Sequence, residues 1–361
     1  MNTFGSAFRL TVFGESHGKV VGALVDGCPP GLAVKEEEIQ RDLDRRAPGR
    51  SLLATQRKEP DRLQVLSGVK DGHTTGAPVV MVVANEDVQS RAYDDLRFVP
   101  RPGHSDYPAF VKYGGQNDFR GGGQFSGRMT AAFVMAGGLA KALLGPAGVR
   151  LAAHTVRIAD VSLAREAAFE ELARAYDDPT RCVDSNVATK MAQAIEAARR
   201  DQDSVGGVVE CRAIGLPVGL GEPFFTGLEQ HVSQILFSVP AVKGVEFGAG
   251  FALAGLRGSQ SNDPFALRDG RVVTTKNDMG GILGGLATGM PLVVRAAVKP
   301  TSSIAREQPS VDLSRNEETI VRVKGRHDPC IVPRAVVAIE CAVAVALADL
   351  FLRGGYDRGH P

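Results

Sequence analysis

Residues Ser126–Leu144 read SGRMTAAFVMAGGLAKALL, where Ala and Gly with Met and Phe interleaved describe a helix whose surface another helix can approach closely. A second helical pattern, Arg334–Leu352, contains the most apolar part of the chain, Ala335–Leu352. Glu340 and Asp349 interrupt it, so it reads as a buried helix rather than a membrane span. Two further helical patterns lie at Lys35–Arg45 and Asn186–Arg200. Between them fall β-rich runs at Ala77–Val83, Gly206–Arg212 and Pro291–Val298. The spacing predicts mixed α/β content. No low-complexity linker, repeat or break in composition divides the chain, which predicts a single domain over residues 1–361.

The totals narrow the functional class. Lys and Arg number 42 against 41 Asp and Glu, a formal charge of +1, which gives no field of the kind a dedicated nucleic-acid binder needs. Glycine is in excess, 42 of 361 residues against a usual ~7%. With 43% hydrophobic residues and no Gly-X-Y period, that excess predicts tight turns and backbone held close to ligands or helices, not disorder. Five cysteines, at 28, 182, 211, 330 and 341, form no CxxC pair and predict reduced thiols. The start MNTFGSAFRL has no basic stretch followed by an apolar one, so a cytoplasmic protein is expected.

Seven short clusters could carry chemistry. In Gly14-Glu15-Ser16-His17-Gly18, flanking glycines permit a sharp turn that frees His17 to donate a proton and Ser16 to donate to an anion. Asp42-Leu43-Asp44-Arg45-Arg46 reads either as a solvated helix face or as a source of anion-binding cations. Arg101-Pro102-Gly103-His104-Ser105-Asp106 sets a loop histidine among arginines, suited to protonating an oxyanion leaving group. Gly121-Gly122-Gly123, then Ser126, Gly127 and Arg128, places open amides, a hydroxyl and a cation at a helix start, an anion site in physical terms. It lacks GxxxxGK[ST], and Asn277–Gly285 lacks GxGxxG, so neither a P-loop nor a dinucleotide fingerprint is present. Lys299-Pro300-Thr301-Ser302-Ser303 follows an apolar run and offers one ammonium and three hydroxyls to a phosphate, or is a polar turn. In Gly325-Arg326-His327-Asp328-Pro329-Cys330, Asp328 reads as a base or as a helix cap.

Taken in order, GESHG, DLDRR, TQRKEPD (Thr55–Asp61), RPGHSDY, FRGGG, PAVKGVEFG (Pro240–Gly248), GGILGG, KPTSSI and GRHDPC make the whole chain resemble the chorismate synthase family. The resemblance implies an α+β fold, a β-α-β sandwich with a central helical layer between antiparallel sheets, assembled as a homotetramer. It implies a carbon–oxygen lyase of aromatic amino acid biosynthesis, converting 5-enolpyruvylshikimate 3-phosphate to chorismate and phosphate by 1,4-elimination. Reduced FMN is required without net redox change, with NADPH or an external flavin reductase as the source of reducing equivalents.

Carried over by motif, His17 would govern protonation of the reduced flavin. His104 would protonate the departing phosphate, and Asp328 would assist loss of the ring proton through the flavin N5. Ser16, Arg46, Arg101 and Arg128 would bind substrate anions. The flavin would contact Gln124, Phe125, Ser126, Pro240, Ala241, Gly284, Lys299, Pro300, Thr301, Ser302, Ser303 and Arg326. Where relatives read Arg-Ser-Ser-Ala-Arg, this chain has Gln124-Phe125-Ser126-Gly127-Arg128, and Arg50 or Leu52 stands where many relatives carry a further basic residue. No metal, nucleic acid or membrane partner is expected. Two other readings stay open: an FMN-dependent oxidoreductase of a phosphorylated anionic substrate, and an RNA-binding protein. Phosphate yield per flavin tests the first. Retention of RNA tests the second.

Overall fold

Alternating apolar residues build two antiparallel sheets, each with one face turned to the helices. In a computed structural model, which describes residues 2–49, 59–86, 93, 96–323 and 327–358, the first sheet runs in the order Thr3–Phe4, Arg9–Gly14, Val20–Asp26, Val79–Ala84, Gln64–Ser67. Its register pairs Val21 with Val83, Ala23 with Met81 and Val25 with Val79, and all six are fully buried. The second sheet runs Val242–Phe247, Leu292–Val298, Gly207–Ile214, Arg150–Ile158, Val161–Ser162. There Cys211 lies between Val294 and Ala153, again with every side chain buried.

The helices form the layer between. Helix α1 spans Glu36–Arg46, the short α2 spans Asp106–Lys112, and α3 spans Thr130–Leu144. The C-terminal helix is Val332–Arg353, and every residue from Val336 to Phe351 is buried. That suits a helix apolar all round, which is stable only when covered on every side. It packs on α3 and on the second sheet, while α3 reaches the first sheet. Glycine sets the spacing: a Cβ on Gly137 would stand 2.2 Å from the Cβ of Cys341, and one on Gly138 would stand 2.7 Å from Cγ1 of Ile39 on α1.

The expected sandwich with a central helical layer is therefore observed. The elements read from periodicity are found within a few residues of their expected ends, with one difference. Ser126–Leu144 is not one helix: Gly127–Met129 is a 3₁₀ turn and α3 begins at Thr130. Ser126 caps the turn by accepting from the Arg128 amide at 3.3 Å, and this break aims Arg128 away from the α3 axis toward the first sheet.

Candidate active site

The site begins where the first sheet ends. Gly14 closes the strand Arg9–Gly14 with φ +98, and Glu15–Gly18 turns back, with the Gly18 amide donating to the Glu15 carbonyl at 3.1 Å. Asn85 staples this turn: its Nδ2 donates to the carbonyls of Glu15 and Gly18 at 3.0 and 2.8 Å. The Ser16 amide donates to the Gly123 carbonyl at 3.1 Å, docking the turn on the triple-glycine loop.

Gly121, Gly122 and Gly123 all have positive φ, and their conformation explains the motif. A Cβ at Gly121 would lie 2.6 Å from the His17 ring and 2.7 Å from Ser16 Oγ; a Cβ at Gly122 would lie 2.9 Å from the His104 ring. The loop threads between both histidines, and no side chain larger than hydrogen fits there. Within the loop, the amide of Gly122 donates to the Phe119 carbonyl at 3.2 Å.

Beside this loop opens a cavity of about 570 Å³. Ser16, Arg46, Arg101, His104 and Arg128 line it, as do Gln124, Phe125, Ser126, Pro240, Ala241, Lys299, Thr301, Ser302, Ser303 and Asp328. Residues expected from sequence to serve one site thus converge from both ends of the chain. His17 stands directly behind, buried, its ring edge-on to Tyr93 at 5.1 Å between centroids, and Tyr93 lines the cavity. Pro300 lies within the lining segment without lining it, and its carbonyl accepts from Lys299 Nζ at 3.2 Å. Gly284 sits at the exposed turn of the hairpin Ile282–Ala287, whose neighbour Gly285 rests on Glu222 and Gly227, and it does not line this cavity in the single chain. The chain folds this hairpin onto the segment 221–228. Arg326, Arg50 and Leu52 lie outside the described residues.

The arginines are held by residues that sequence reasoning did not single out. Asp61, fully buried, accepts from Arg46 through Nε and Nη2 with one carboxylate oxygen and from Arg128 Nη1 with the other. Burial would raise the Asp61 carboxyl, but the two guanidinium groups outweigh it and hold it below the usual carboxylate range. Burial in turn lowers Arg46 to about 10 against the pull of Asp61. Arg128 also donates to Asn85 Oδ1 at 2.8 Å and to the Ala84 carbonyl at 3.0 Å. Arg334 ties the far wall, donating to the Asp328 carboxylate and, at 3.0 Å, to the Arg46 carbonyl. Asp61 was legible only as the end of TQRKEPD; Asn85 and Arg334 carried no local signal.

Across the cavity, Arg101 Nη1 donates to Ser303 Oγ at 3.0 Å, Lys299 Nζ donates to Ser302 Oγ at 2.8 Å, and Ser302 Oγ donates to the Gly103 carbonyl at 2.7 Å. Lys243 lines the same wall, and burial together with Lys243 lowers Lys299 from its ordinary value. Among the described residues no carboxylate pairs with either lysine. The Lys299 amide donates to the Ala241 carbonyl at 2.9 Å, which joins two of the segments expected to contact the flavin. Val239, Pro240, Ala241, Ile331 and Ala335 supply an apolar wall between the cationic ends.

Among the described residues, two donors in this cavity have no partner. Ser16 Oγ and Arg46 Nη1 are buried and make no hydrogen bond, although each belongs to a residue that is 1% exposed. A buried donor left open costs roughly 1–3 kcal/mol, more when charged, so an acceptor that reached these two would be stabilised.

Comparison with known proteins places the chain among relatives of one family. The family model for chorismate synthase matches residues 8–352. A chorismate synthase of Thermococcus kodakarensis is 51% identical over 349 residues, covering 97% of each chain. One from Korarchaeum cryptofilum is 49% identical over 350 residues, with the same coverage. A crystal structure of a chorismate synthase superposes with a TM-score of 0.77 at 29% identity, covering 97% of this chain and 93% of the other.

Proposed function

The chain belongs to the chorismate synthase family, and from that premise we propose that this cavity eliminates phosphate from 5-enolpyruvylshikimate 3-phosphate, yielding chorismate with the help of reduced FMN. One observation carries the reading: among the described residues, two buried donors, Ser16 Oγ and Arg46 Nη1, stand without acceptors in a cavity lined by Arg101, Arg128 and Arg334. A substrate bearing two carboxylates and a phosphate supplies such acceptors.

The residues also fit a flavin phosphate. Lys299, Lys243 and the hydroxyls of Thr301, Ser302 and Ser303 form one cationic, donor-rich end, and the wall from Val239 to Ala241 with Ile331 and Ala335 suits a planar ring. Reduced FMN, when bound, supplies electron density as the carbon–oxygen bond to phosphate breaks and the ring proton leaves. The protein does the rest. Arg101 neutralises the departing phosphate while His104 protonates it. Asp328, directed by Arg334, accepts a proton at the opposite wall. His17, against Gly121 and Tyr93, controls protonation at the flavin side.

The deciding measurement is anaerobic phosphate release with catalytic reduced FMN. Many equivalents of phosphate and chorismate per flavin are expected; one equivalent per flavin with an oxidised product would instead establish an oxidoreductase. Bleaching of FMN by NADPH alone distinguishes intrinsic reduction from supply by a separate flavin reductase. A homotetramer is proposed as the working form, supported by Phe224, Phe225, Phe251 and Leu267, apolar side chains at least 77% exposed on one chain. Sedimentation equilibrium tests it. Buried, unpaired cysteines support a reducing, cytoplasmic setting.

A further inference from the structure

Asp106, the first residue of α2, makes contacts that no part of the reaction described so far explains. Its Oδ1 lies 2.6 Å from His104 Nδ1 and accepts from Arg101 Nη2 at 2.8 Å. Its Oδ2 accepts from Arg101 Nε at 2.7 Å and from the Arg101 amide at 3.0 Å. The carboxylate is 11% exposed, so these contacts are little diluted by water.

The protonation state of the ring follows from the donor inventory. His104 Nδ1 has two polar neighbours, the Asp106 carboxylate at 2.6 Å and Arg101 Nη2 at 3.1 Å. A guanidinium only donates, and a carboxylate only accepts. The shorter contact therefore decides, and Nδ1 carries a proton toward Asp106. Nε2, which faces Gly122 and lies 3.4 Å from Arg101 Nη2, is left as the atom that exchanges the second proton. The charged and titratable groups around the ring are Arg101 and Asp106 on its own segment, Lys299 through Ser302 and Gly103, and His17 beyond the glycine loop.

We propose that Asp106 is the positioning residue of the leaving-group acid: it fixes His104 with Nδ1 protonated and Nε2 toward the phosphate, and locks Arg101 beside the same group. The idea rests on the reading of His104 as the acid. One carboxylate thereby serves both halves of leaving-group departure, proton delivery and charge neutralisation. A Pro-Gly turn lets Arg101 and His104 reach the same side chain from within six residues.

The test is the pH profile of kcat for anaerobic phosphate release from 5-enolpyruvylshikimate 3-phosphate, in wild type, Asp106→Asn, Asp106→Glu and His104→Ala. Substrate dissociation constants are read in parallel from flavin absorbance with oxidised FMN, which needs no turnover. Asp106→Asn is expected to lower kcat on the order of 10-fold or more and to move the alkaline limb to lower pH, because the imidazolium loses its carboxylate. Asp106→Glu is expected to restore the limb and most of kcat. If Asp106→Asn left the limb in place and changed only substrate affinity or thermal stability, Asp106 would be a loop anchor and the proposal would fall. Wild-type turnover in His104→Ala would overturn the acid assignment itself, an outcome independent of what Asp106→Asn does. Should Asp106→Asn not fold, Asp106→Ser is read in its place: an alkaline limb moved to lower pH supports the role, and an unmoved limb with unchanged kcat refutes it.

Discussion

At the scale of single residues, the site is governed by what each charge is already bound to. Arg46 and Arg128 share Asp61, yet Arg46 keeps one nitrogen open, so it is the better placed of the two to take a substrate oxygen. Asp61→Asn leaves two buried cations without their common counter-charge. A loss of about 3–5 kcal/mol is expected in urea unfolding, the scale for breaking a buried ion pair from one side. The histidines should separate in kinetics. His104→Ala is expected to cost on the order of 10²-fold or more in kcat, as loss of a general acid does. His17→Ala is also expected to lower turnover, with full turnover in that variant refuting its place in the site.

At the scale of elements, the central layer depends on close approach. Glycine within a helix costs ~1 kcal/mol relative to alanine, so Gly137 and Gly138 in α3 make sense only if contact returns more than that. At Gly137 the facing atoms are the Cα and Cβ of Cys341, backbone and near-backbone that cannot swing aside. Gly137→Ala is expected to destabilise by ~1–3 kcal/mol despite its better helix propensity, measured as a drop in Tm. The N-terminal segment is held to this layer by Asp349, which accepts from the amides of Ser6, Ala7 and Phe8 at 2.6–2.8 Å and pairs with His231 Nε2 at 3.0 Å. Glu340, the other acidic residue in the apolar helix, accepts from Lys141 of α3 and from the Ala153 amide at 3.0 Å, joining the helical layer to the second sheet.

For the whole molecule, the buried carboxylates set a common response to acid. Asp61 and Asp349 are held below the usual range, and Glu210, against burial, is lowered to about 2 by His154 and two arginines. A carboxyl whose folded value is depressed adds stability above its unfolded value and loses it as pH falls toward the folded one. Unfolding free energy should therefore be flat near neutrality and decline below about pH 4, with Asp349→Asn less steep than wild type in the same titration. Ligand should act in the other direction. At 100 times its dissociation constant, 5-enolpyruvylshikimate 3-phosphate is expected to add about 2.7 kcal/mol to stability, read as a rise in Tm that Arg46→Ala diminishes.

Much of this was legible in the chain alone, because some signals are local. Periods of 3.6 and 2 placed α1, α3, the C-terminal helix and the inner strands, and the ordered motifs named the family. What periodicity cannot report is which distant residue a side chain meets. Asp61 reaches Arg128 across 67 positions and Arg101 reaches Ser303 across 202, contacts that exist only when the sheets close over the helices. The triple glycine read as an anion site, and the fold adds that it makes room for two histidines. Gly284 read as a cofactor contact by motif, and only the fold showed that its hairpin packs on the segment 221–228. Composition and motif order determined the kind of site. Tertiary packing decided which donors were left open for a ligand, since an open donor is defined by every partner that did not arrive.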